Sequence, residues 1–163
     1  MIISVKNKDT LIAGEFRFRC CVGKTGTNSN KIEGDRSTPK GVYKFEKVYW
    51  RDDRENKPIT KLKSIRIKKD MVWCNDPNSK FYNRQIKKRK NLRSEKLFRK
   101  DYKYNYFLTI SYNTNKIIKG KGSAIFLHLT KNYHSTAGCI AVRKKDFLIL
   151  LKLINKNTRI KIY

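Results

Sequence analysis

Runs in which apolar and polar residues alternate are the feature that most limits the fold of this 163-residue chain. In the segment GEFRFRCCVG, apolar side chains at positions 16, 18, 20 and 22 alternate with mostly polar ones. A period of two places successive side chains on opposite faces of a β-strand, so Cys20 is expected to face the core as a small hydrophobe. Further strand candidates are VYKFEKVYW, SIRIKKDMVW, YNYFLTISYN, SAIFLHL and TRIKIY. We therefore predict a mainly β fold.

Two segments have the spacing of helices. In DFLILLKLIN, apolar residues recur at 147, 150, 151 and 154, and Asp146 is available as the N-cap. In RSEKLFRKDY, Ser94 is a plausible N-cap and Glu95 falls in the first turn, where it favours the helix dipole. GKTGTNSNKIEGDRSTPKG is predicted to be a long loop. Short loops join most other elements, so residues 1–163 are predicted to form a single domain with one or two packed helices.

The charge of the chain is strongly unbalanced. Forty Lys and Arg residues against thirteen Asp and Glu give a formal charge of +27, which predicts attraction to polyanions in general. A nucleic-acid-binding module is one alternative, but VYKFEKVYWR, its nearest segment, carries no recognised base-reading motif. No segment has the roughly 18 consecutive apolar residues of a membrane helix. The N-terminus also has no recognisable signal peptide.

The stretch AIFLHLTKNYHSTAGCIAV carries the candidate chemistry. Cys139 follows His128 by eleven positions, which permits a histidine at one strand end and a cysteine before the next strand. A cysteine attacks as its thiolate, so a nearby imidazole base would activate it. Gly138 allows close approach of the backbone and Ala137 adds no bulk, so amides here are expected to form an oxyanion hole. His134 is a competing base, although a strand holds His128 more rigidly.

Two other interpretations of these residues stay open at this point. A buried core cysteine that happens to lie near a histidine is the simpler one. A zinc site would need His128, His134, Cys139 and a distant cysteine, but no paired ligand spacing supports it, and we expect neither metal nor cofactor. A bridge between Cys20 and Cys74 is not excluded by the sequence, whereas one between Cys20 and Cys21 would be strained.

The segments GSAIFLHL, STAGCIAV and DFLILL together resemble the catalytic core of the L,D-transpeptidase family, the YkuD-type cysteine enzymes of bacterial peptidoglycan. The likeness extends upstream through KTGTNSNKIEGDRSTPKGVYKF, YWRDDR, WCNDPNSKFYNR and SEKLFRKDYKYNYFLTISYN, from about Gly23 to the C-terminus. It is closest to a compact, single-domain branch of the family. The resemblance implies a YkuD-like β-sandwich or barrel with Cys139 as nucleophile and His128 as general base.

The resemblance also implies a reaction and a setting. Cys139 would attack a stem-peptide carbonyl to form a thioester, which the side-chain amine of a neighbouring stem resolves as a cross-link. Peptidoglycan stem peptides would be the partners, and the cell envelope or periplasm the location. The runner-up is a carboxypeptidase or amidase in which water resolves the thioester.

Several positions depart from the common family motif. Ala137 stands where a second histidine is common, Leu129 where glycine is common, and Ala141 where arginine or asparagine is frequent. The spacing between His128 and Cys139 is also shorter than usual. The candidate substrate-binding residues are His134, Arg143 and Thr136, and family position adds Arg99 and Tyr104 as candidate cleft residues.

Overall fold

A computed structural model describes residues 1–163, which form fourteen strands and one helix. In chain order they are β1 (Ile2–Lys6), β2 (Thr10–Ala13), β3 (Phe16–Cys21), β4 (Thr27–Asn28), β5 (Thr38–Pro39), β6 (Gly41–Trp50), β7 (Lys63–Arg66), β8 (Met71–Cys74), β9 (Gln85–Lys87), β10 (Ser94–Lys96), β11 (Tyr106–Ile110), β12 (Phe126–Leu129), β13 (Ile140–Val142), α1 (Lys144–Leu153) and β14 (Arg159–Ile162). The fold is mainly β with one helix, which confirms the predicted class.

The main sheet closes on itself. Its strand order is β11-β12-β13-β3-β2-β1-β14-β6-β7, and β6 pairs with β11 as well as with β14. The ten-residue β6 makes this closure possible, because residues 41–44 pair with β14 and residues 45–50 pair with β11. The result is a barrel-like sheet with β7 added at the outside of β6. Closure of this kind leaves few unpaired strand edges.

The main core fills the interior of this sheet. It contains 24 buried residues, and the helix α1 contributes Phe147, Leu150 and Leu151 from its apolar face. The helical spacing of DFLILLKLIN is therefore confirmed. Its predicted cap is wrong, because the helix begins after Arg143 and Asp146 lies inside the first turn. No helix in the structure is long and apolar enough to cross a membrane.

A second, smaller core covers the opposite face of β11. All five residues of β11 are buried, because its even-numbered side chains point into the main core while Phe107 points into an eight-residue cluster outside it. The rings of Tyr49 and Phe107 stack with centroids 4.6 Å apart, and Trp73 meets Phe126 edge-on at 5.0 Å. A three-stranded sheet, in the order β10-β8-β9, includes Trp73 and lies beside this cluster.

The predicted helix at RSEKLFRKDY is wrong. Ser94 and Glu95 lie on β10, which pairs antiparallel with β8 and places Glu95 opposite Trp73. Burial of Leu97 in the second core and pairing with a strand that lies 20 to 24 residues upstream outweigh the local helical spacing. The segment SIRIKKDMVW likewise divides into two strands, β7 and β8, separated by a turn. All four cysteines are free thiols, so no Cys20–Cys74 bridge forms.

Candidate active site

Two adjacent parallel strands bring the candidate histidine and cysteine together. In the β12–β13 pair, His128 lies opposite Ala141 and Leu127 opposite Ile140. Because side chains alternate across a strand, His128, Ala141 and Cys139 lie on one face of the sheet. A ten-residue loop joins the two strands and carries the segment STAG directly to Cys139. The spacing that the sequence permitted is therefore realised in the fold.

The Cys139 thiol is held by backbone groups at and just before the start of β12. It donates a hydrogen bond to the Ala124 carbonyl at 3.1 Å, and the Phe126 amide donates to the sulfur at 3.4 Å. Burial, reinforced by the charge of Glu95, raises the pKa of Cys139 to about 12. The amide of Phe126 and the ammonium of Lys31 oppose that rise only in part. At neutral pH the sulfur is therefore a protonated thiol.

The His128 ring is buried, with 6% of its surface exposed. Its Nδ1 lies 3.0 Å from the Leu129 carbonyl oxygen, and only a donor at Nδ1 can bond to a carbonyl. This bond leaves Nε2 as the acceptor nitrogen of the neutral ring. Burial lowers the pKa of His128 to about 4, and the charges of Lys103 and Arg99 add to that shift. Because the Leu129 contact uses a backbone carbonyl, the leucine at this position preserves it.

Four consecutive amides before β13 differ in whether they are engaged. The Thr136 amide donates to the Val22 carbonyl at 2.9 Å, and the Gly138 amide donates to the Thr136 hydroxyl at 3.1 Å. The amides of Ala137 and Cys139 donate to no acceptor in the protein. Gly138 therefore contributes backbone shape rather than a free donor, and the free donors belong to its two neighbours.

Gly138 is required by both conformation and space. Its φ of 139° lies where L-residues are strained, and a Cβ there would lie 2.8 Å from the Ser37 carbonyl oxygen. The Thr38 hydroxyl donates to the Gly138 carbonyl at 2.8 Å and accepts from the Gly23 amide at 2.9 Å. Strand β5, which carries Thr38 inside the predicted long loop, thus fixes the peptide immediately before Cys139.

The predicted site residues lie along one cleft with a volume of about 570 Å³. It is lined by Cys139, His128, Gly138, Ala137, His134 and Thr136, and also by Arg99 and Tyr104. Arg143 is different: it lines a neighbouring pocket of about 490 Å³, with its guanidinium 5.2 Å from the Tyr133 ring centroid. Thr136 uses its hydroxyl on the Gly138 amide and the Cys139 carbonyl, so it shapes the loop around the thiol.

The cleft also contains charged residues that were not predicted to belong to the site. Glu95 accepts a hydrogen bond from the Tyr104 hydroxyl, and the Tyr104 ring meets the His128 ring edge-on at 5.5 Å. Glu33 accepts a hydrogen bond from the Ser123 hydroxyl at 2.7 Å. Lys31 lies at the cleft wall near Gly138. Lys31 and Glu33 belong to the segment KIEGD, a run of mostly charged residues inside the predicted long loop. This run is the sequence signal that could have identified them as site candidates.

The structure does not bring together a set of metal ligands. No three His, Cys, Asp or Glu side chains converge in the structure, and His134 is exposed at the cleft mouth. The arrangement instead combines a thiol, an imidazole with a fixed tautomer and two free amides in one polar cleft. Chemically, a thiol beside an imidazole acceptor can attack a carbonyl carbon, and free amides can donate to the oxyanion that such an attack produces.

Comparison with known proteins gives the family. The YkuD family model, described as the L,D-transpeptidase catalytic domain, matches residues 2–162 of the chain. The chain therefore belongs to the YkuD family, which confirms the resemblance of its motifs. No curated protein matches the sequence.

The similar solved structures include two bacterial proteins. The helical cell shape determining protein Pgp2 from Campylobacter jejuni is 16% identical and has a TM-score of 0.51, with 99% of this chain and 46% of that protein covered. Bd1075 from Bdellovibrio bacteriovorus is 17% identical with a TM-score of 0.49, and 99% and 47% of the two chains are covered. The chain spans about half the length of each. At such identities, only the fold of Pgp2 is informative.

Proposed function

We propose that the chain is a peptidoglycan L,D-transpeptidase in which Cys139 is the nucleophile and His128 the general base. The observation that carries this proposal is one cleft wall on which the thiol, the His128 imidazole and the unengaged Cys139 amide occur together. Membership of the YkuD family supports the substrate class. Residues 1–163 would act as a single catalytic domain, since β1 and β14 pair with each other and join both ends of the chain in one sheet.

Both groups start neutral in this mechanism, because burial raises the pKa of Cys139 and lowers the pKa of His128. The thiol rotates away from the Ala124 carbonyl and transfers its proton to Nε2 of His128. The sulfur then attacks a stem-peptide carbonyl carbon, and the C=O electron pair moves to oxygen. The amides of Cys139 and Ala137 would donate to that oxyanion.

The intermediate collapses when the peptide C–N bond breaks. The leaving amine takes the proton from His128, and the acyl group remains as a thioester on Cys139. A side-chain amine of a second stem then loses a proton to His128 and attacks the thioester. The new amide forms as the sulfur leaves and regains its proton from the imidazolium. Water in place of the amine would give a hydrolase instead.

The surface charge fits an anionic polymer as partner. The formal charge of +27 raises the local concentration of a wall polymer rich in carboxylates, and this long-range attraction weakens with salt. A position in the cell envelope follows from the same proposal. The candidate substrate contacts in the cleft are His134 and Arg99, while Arg143 would contact only a ligand long enough to reach the neighbouring pocket.

The proposal is tested with purified disaccharide-peptide fragments and mass spectrometry of both protein and products. The wild type is expected to carry a covalent adduct and to release cross-linked dimers, whereas Cys139→Ala forms neither. His128→Ala is expected to slow acylation by about a hundredfold or more, in the range of a lost general base. His134→Ala tests the competing base and is expected to retain most of the acylation, because that ring is exposed and outside the strand.

The other outcomes change the assignment. An adduct accompanied only by shortened monomers would make the protein a hydrolase. Equal losses in the two histidine variants, both folded, would remove His128 as the base. A folded wild type with neither adduct nor product would overturn the proposed function as a whole.

A further inference from the structure

Lys31 is a buried cation to which the proposed mechanism gives no role. Only 4% of its side chain is exposed, and its ammonium lies 2.7 Å from Oδ1 of Asp35. That contact is the one hydrogen bond that the ammonium makes. An ammonium group has three N–H donors, so two of them have no acceptor in the protein. The two remaining donors are therefore available to a second negatively charged group.

The ammonium lies directly beside the nucleophile segment. Its Nζ is 3.5 Å from the point that a Cβ on Gly138 would occupy, and the side chain lines the same cleft as Cys139. Its alkyl stem passes Gly122, where a Cβ would lie 2.8 Å from Cε of the lysine. The absence of a side chain at Gly122 and at Gly138 is what allows the lysine to extend this far.

Asp35 holds the lysine in place. Its carboxylate accepts the Ile32 amide at 2.9 Å, and the Ser37 amide and hydroxyl at 2.8 Å each. Burial alone would raise the pKa of Asp35, but the hydrogen bonds from Lys31, Ile32 and Ser37 hold it well below its usual range. The carboxylate is therefore ionised at neutral pH, and the loop around it fixes the direction of the lysine.

The charges around Cys139 leave a role for such a cation. Glu95 disfavours negative charge on the sulfur, and Lys31 favours it. The charges of Lys103 and Arg99 disfavour the protonated form of the His128 ring. When the thiol attacks a carbonyl, negative charge passes from sulfur to oxygen beside the Gly138–Cys139 peptide. A fixed positive charge there stabilises that charge without reorganisation during the reaction.

We propose that Lys31, held by Asp35 against Gly138, stabilises the negative charge that arises on the Cys139 sulfur and on the attacked carbonyl oxygen. The part of this inference that concerns the oxyanion rests on the proposed function. The first part concerns the sulfur alone and needs no peptidoglycan substrate. If the Lys31–Asp35 ion pair only stabilised the loop, its removal would change neither the reactivity of the sulfur nor the stability of the oxyanion.

The first test is alkylation of Cys139 by iodoacetamide between about pH 8 and pH 10, with the modified residue identified by peptide mass mapping. The main variant is Lys31→Met combined with Asp35→Asn, which removes both charges and leaves no buried ion unpaired. Its alkylation is expected to be about fivefold slower than that of the wild type at equal pH, since a tenfold change corresponds to one pKa unit.

Lys40→Met is the matched control, because it removes an exposed lysine from the same loop. Near-ultraviolet circular dichroism checks the fold of each variant. If the double variant does not fold, Lys31→Gln with Asp35→Asn makes the same comparison, because two amides at these positions can still bond to each other. A folded double variant alkylated within about twofold of the wild type would overturn the inference.

The second test measures acylation by disaccharide-peptide fragments in the same variants. The double variant is expected to lose about tenfold or more, exceeding its loss in alkylation, because the oxyanion also loses its partner. Equal losses in the two assays would remove the oxyanion part of the inference. If the wild type is alkylated but never acylated, the proposed function fails while the effect of Lys31 on the sulfur is still decided by alkylation.

Discussion

Acid should destabilise this protein through His128, and the size of the effect follows from the burial of the ring. With 6% of its surface exposed, the imidazole cannot be solvated as a cation inside the fold. Burial, aided by Lys103 and Arg99, lowers its pKa from 6.5 to about 4, although the hydrogen bond to Leu129 acts in the opposite direction. The unfolded chain has no such constraint and titrates near the ordinary value.

The direction of the pH effect follows from the number of protons that the folded and unfolded states bind. Between about pH 6.5 and pH 4, the unfolded chain binds a proton at His128 and the folded protein does not, so the free energy of unfolding falls as the pH falls. Each pKa unit is worth about 1.4 kcal/mol, so the depressed pKa of His128 corresponds to about 3 kcal/mol over that window. Below about pH 4 both states carry the proton and the contribution stops changing.

Urea unfolding at steps from about pH 7 to about pH 4 measures this term when wild type, His128→Asn and His134→Asn are compared. Carboxylates titrate in the same range but contribute nearly equally to all three curves, so differences between variants isolate the histidine. The advantage of the wild type over His128→Asn is expected to shrink by about 3 kcal/mol. His134→Asn should run parallel to the wild type, because that ring is exposed. Parallel curves for wild type and His128→Asn would refute the argument.

Two further changes test the backbone supports of the site. Gly138→Ala is expected to cost about 1–3 kcal/mol from its φ alone, and more from the contact with the Ser37 carbonyl, with a loss of acylation seen by intact-protein mass spectrometry. Asn83→Ala is expected to cost about 3 kcal/mol or more in urea unfolding, since the buried amide oxygen accepts from Trp73 Nε1 and from the Ala124 amide. Asn83→Asp keeps that acceptor but loses the amide donor to the Tyr112 and Asn113 carbonyls, so it should lose less than Asn83→Ala only at acid pH, where the protonated carboxyl can donate to one of them; equal losses there would contradict the hydrogen-bond explanation.

Local alternation correctly predicted strands at β3, at β6 and at the closing strand β14, and helical spacing predicted α1. The alternation describes burial best in β14, where Ile160 and Ile162 face the main core. No strand was predicted for the first thirteen residues, which form β1 and β2. β1 pairs in parallel with β14, so contacts between opposite ends of the chain hold it in place. A local pattern carries no information about such a partner.

Strands with both faces buried account for other differences between the predicted and the observed burial. The alternation in YNYFLTISYN predicted one apolar face, but β11 lies between two cores and every residue of it is buried. Cys21 was placed on the polar face of β3, yet it is buried and its thiol donates to the His134 carbonyl. In both cases a second layer of structure covers a face that the strand pattern alone assigns to solvent.

The predicted pair, His128 and Cys139, depends on a spacing of eleven residues within one strand–loop–strand unit, which the sequence displays directly. Lys31 and Glu95 reach the same cleft from segments that lie far away in the chain. Their positions follow from the Asp35 turn and from the β8–β10 pairing. Neither was predictable from spacing, because each depends on tertiary contacts of a loop or of a three-residue strand.

The electrostatics of the cleft cannot be inferred from the charge of the whole chain. A formal charge of +27 would be expected to favour a thiolate, yet burial and Glu95 raise the pKa of Cys139 to about 12. Exposed lysines are screened by water and salt over about 8–10 Å, whereas Glu95 and Lys31 act inside the cleft where screening is weak. In the proposed mechanism, activation of the thiol therefore depends on a few groups in the cleft, chiefly the neutral acceptor nitrogen of His128 and the ammonium of Lys31. On this basis, substitutions at these two positions should change the reactivity of Cys139 far more than removal of any exposed lysine.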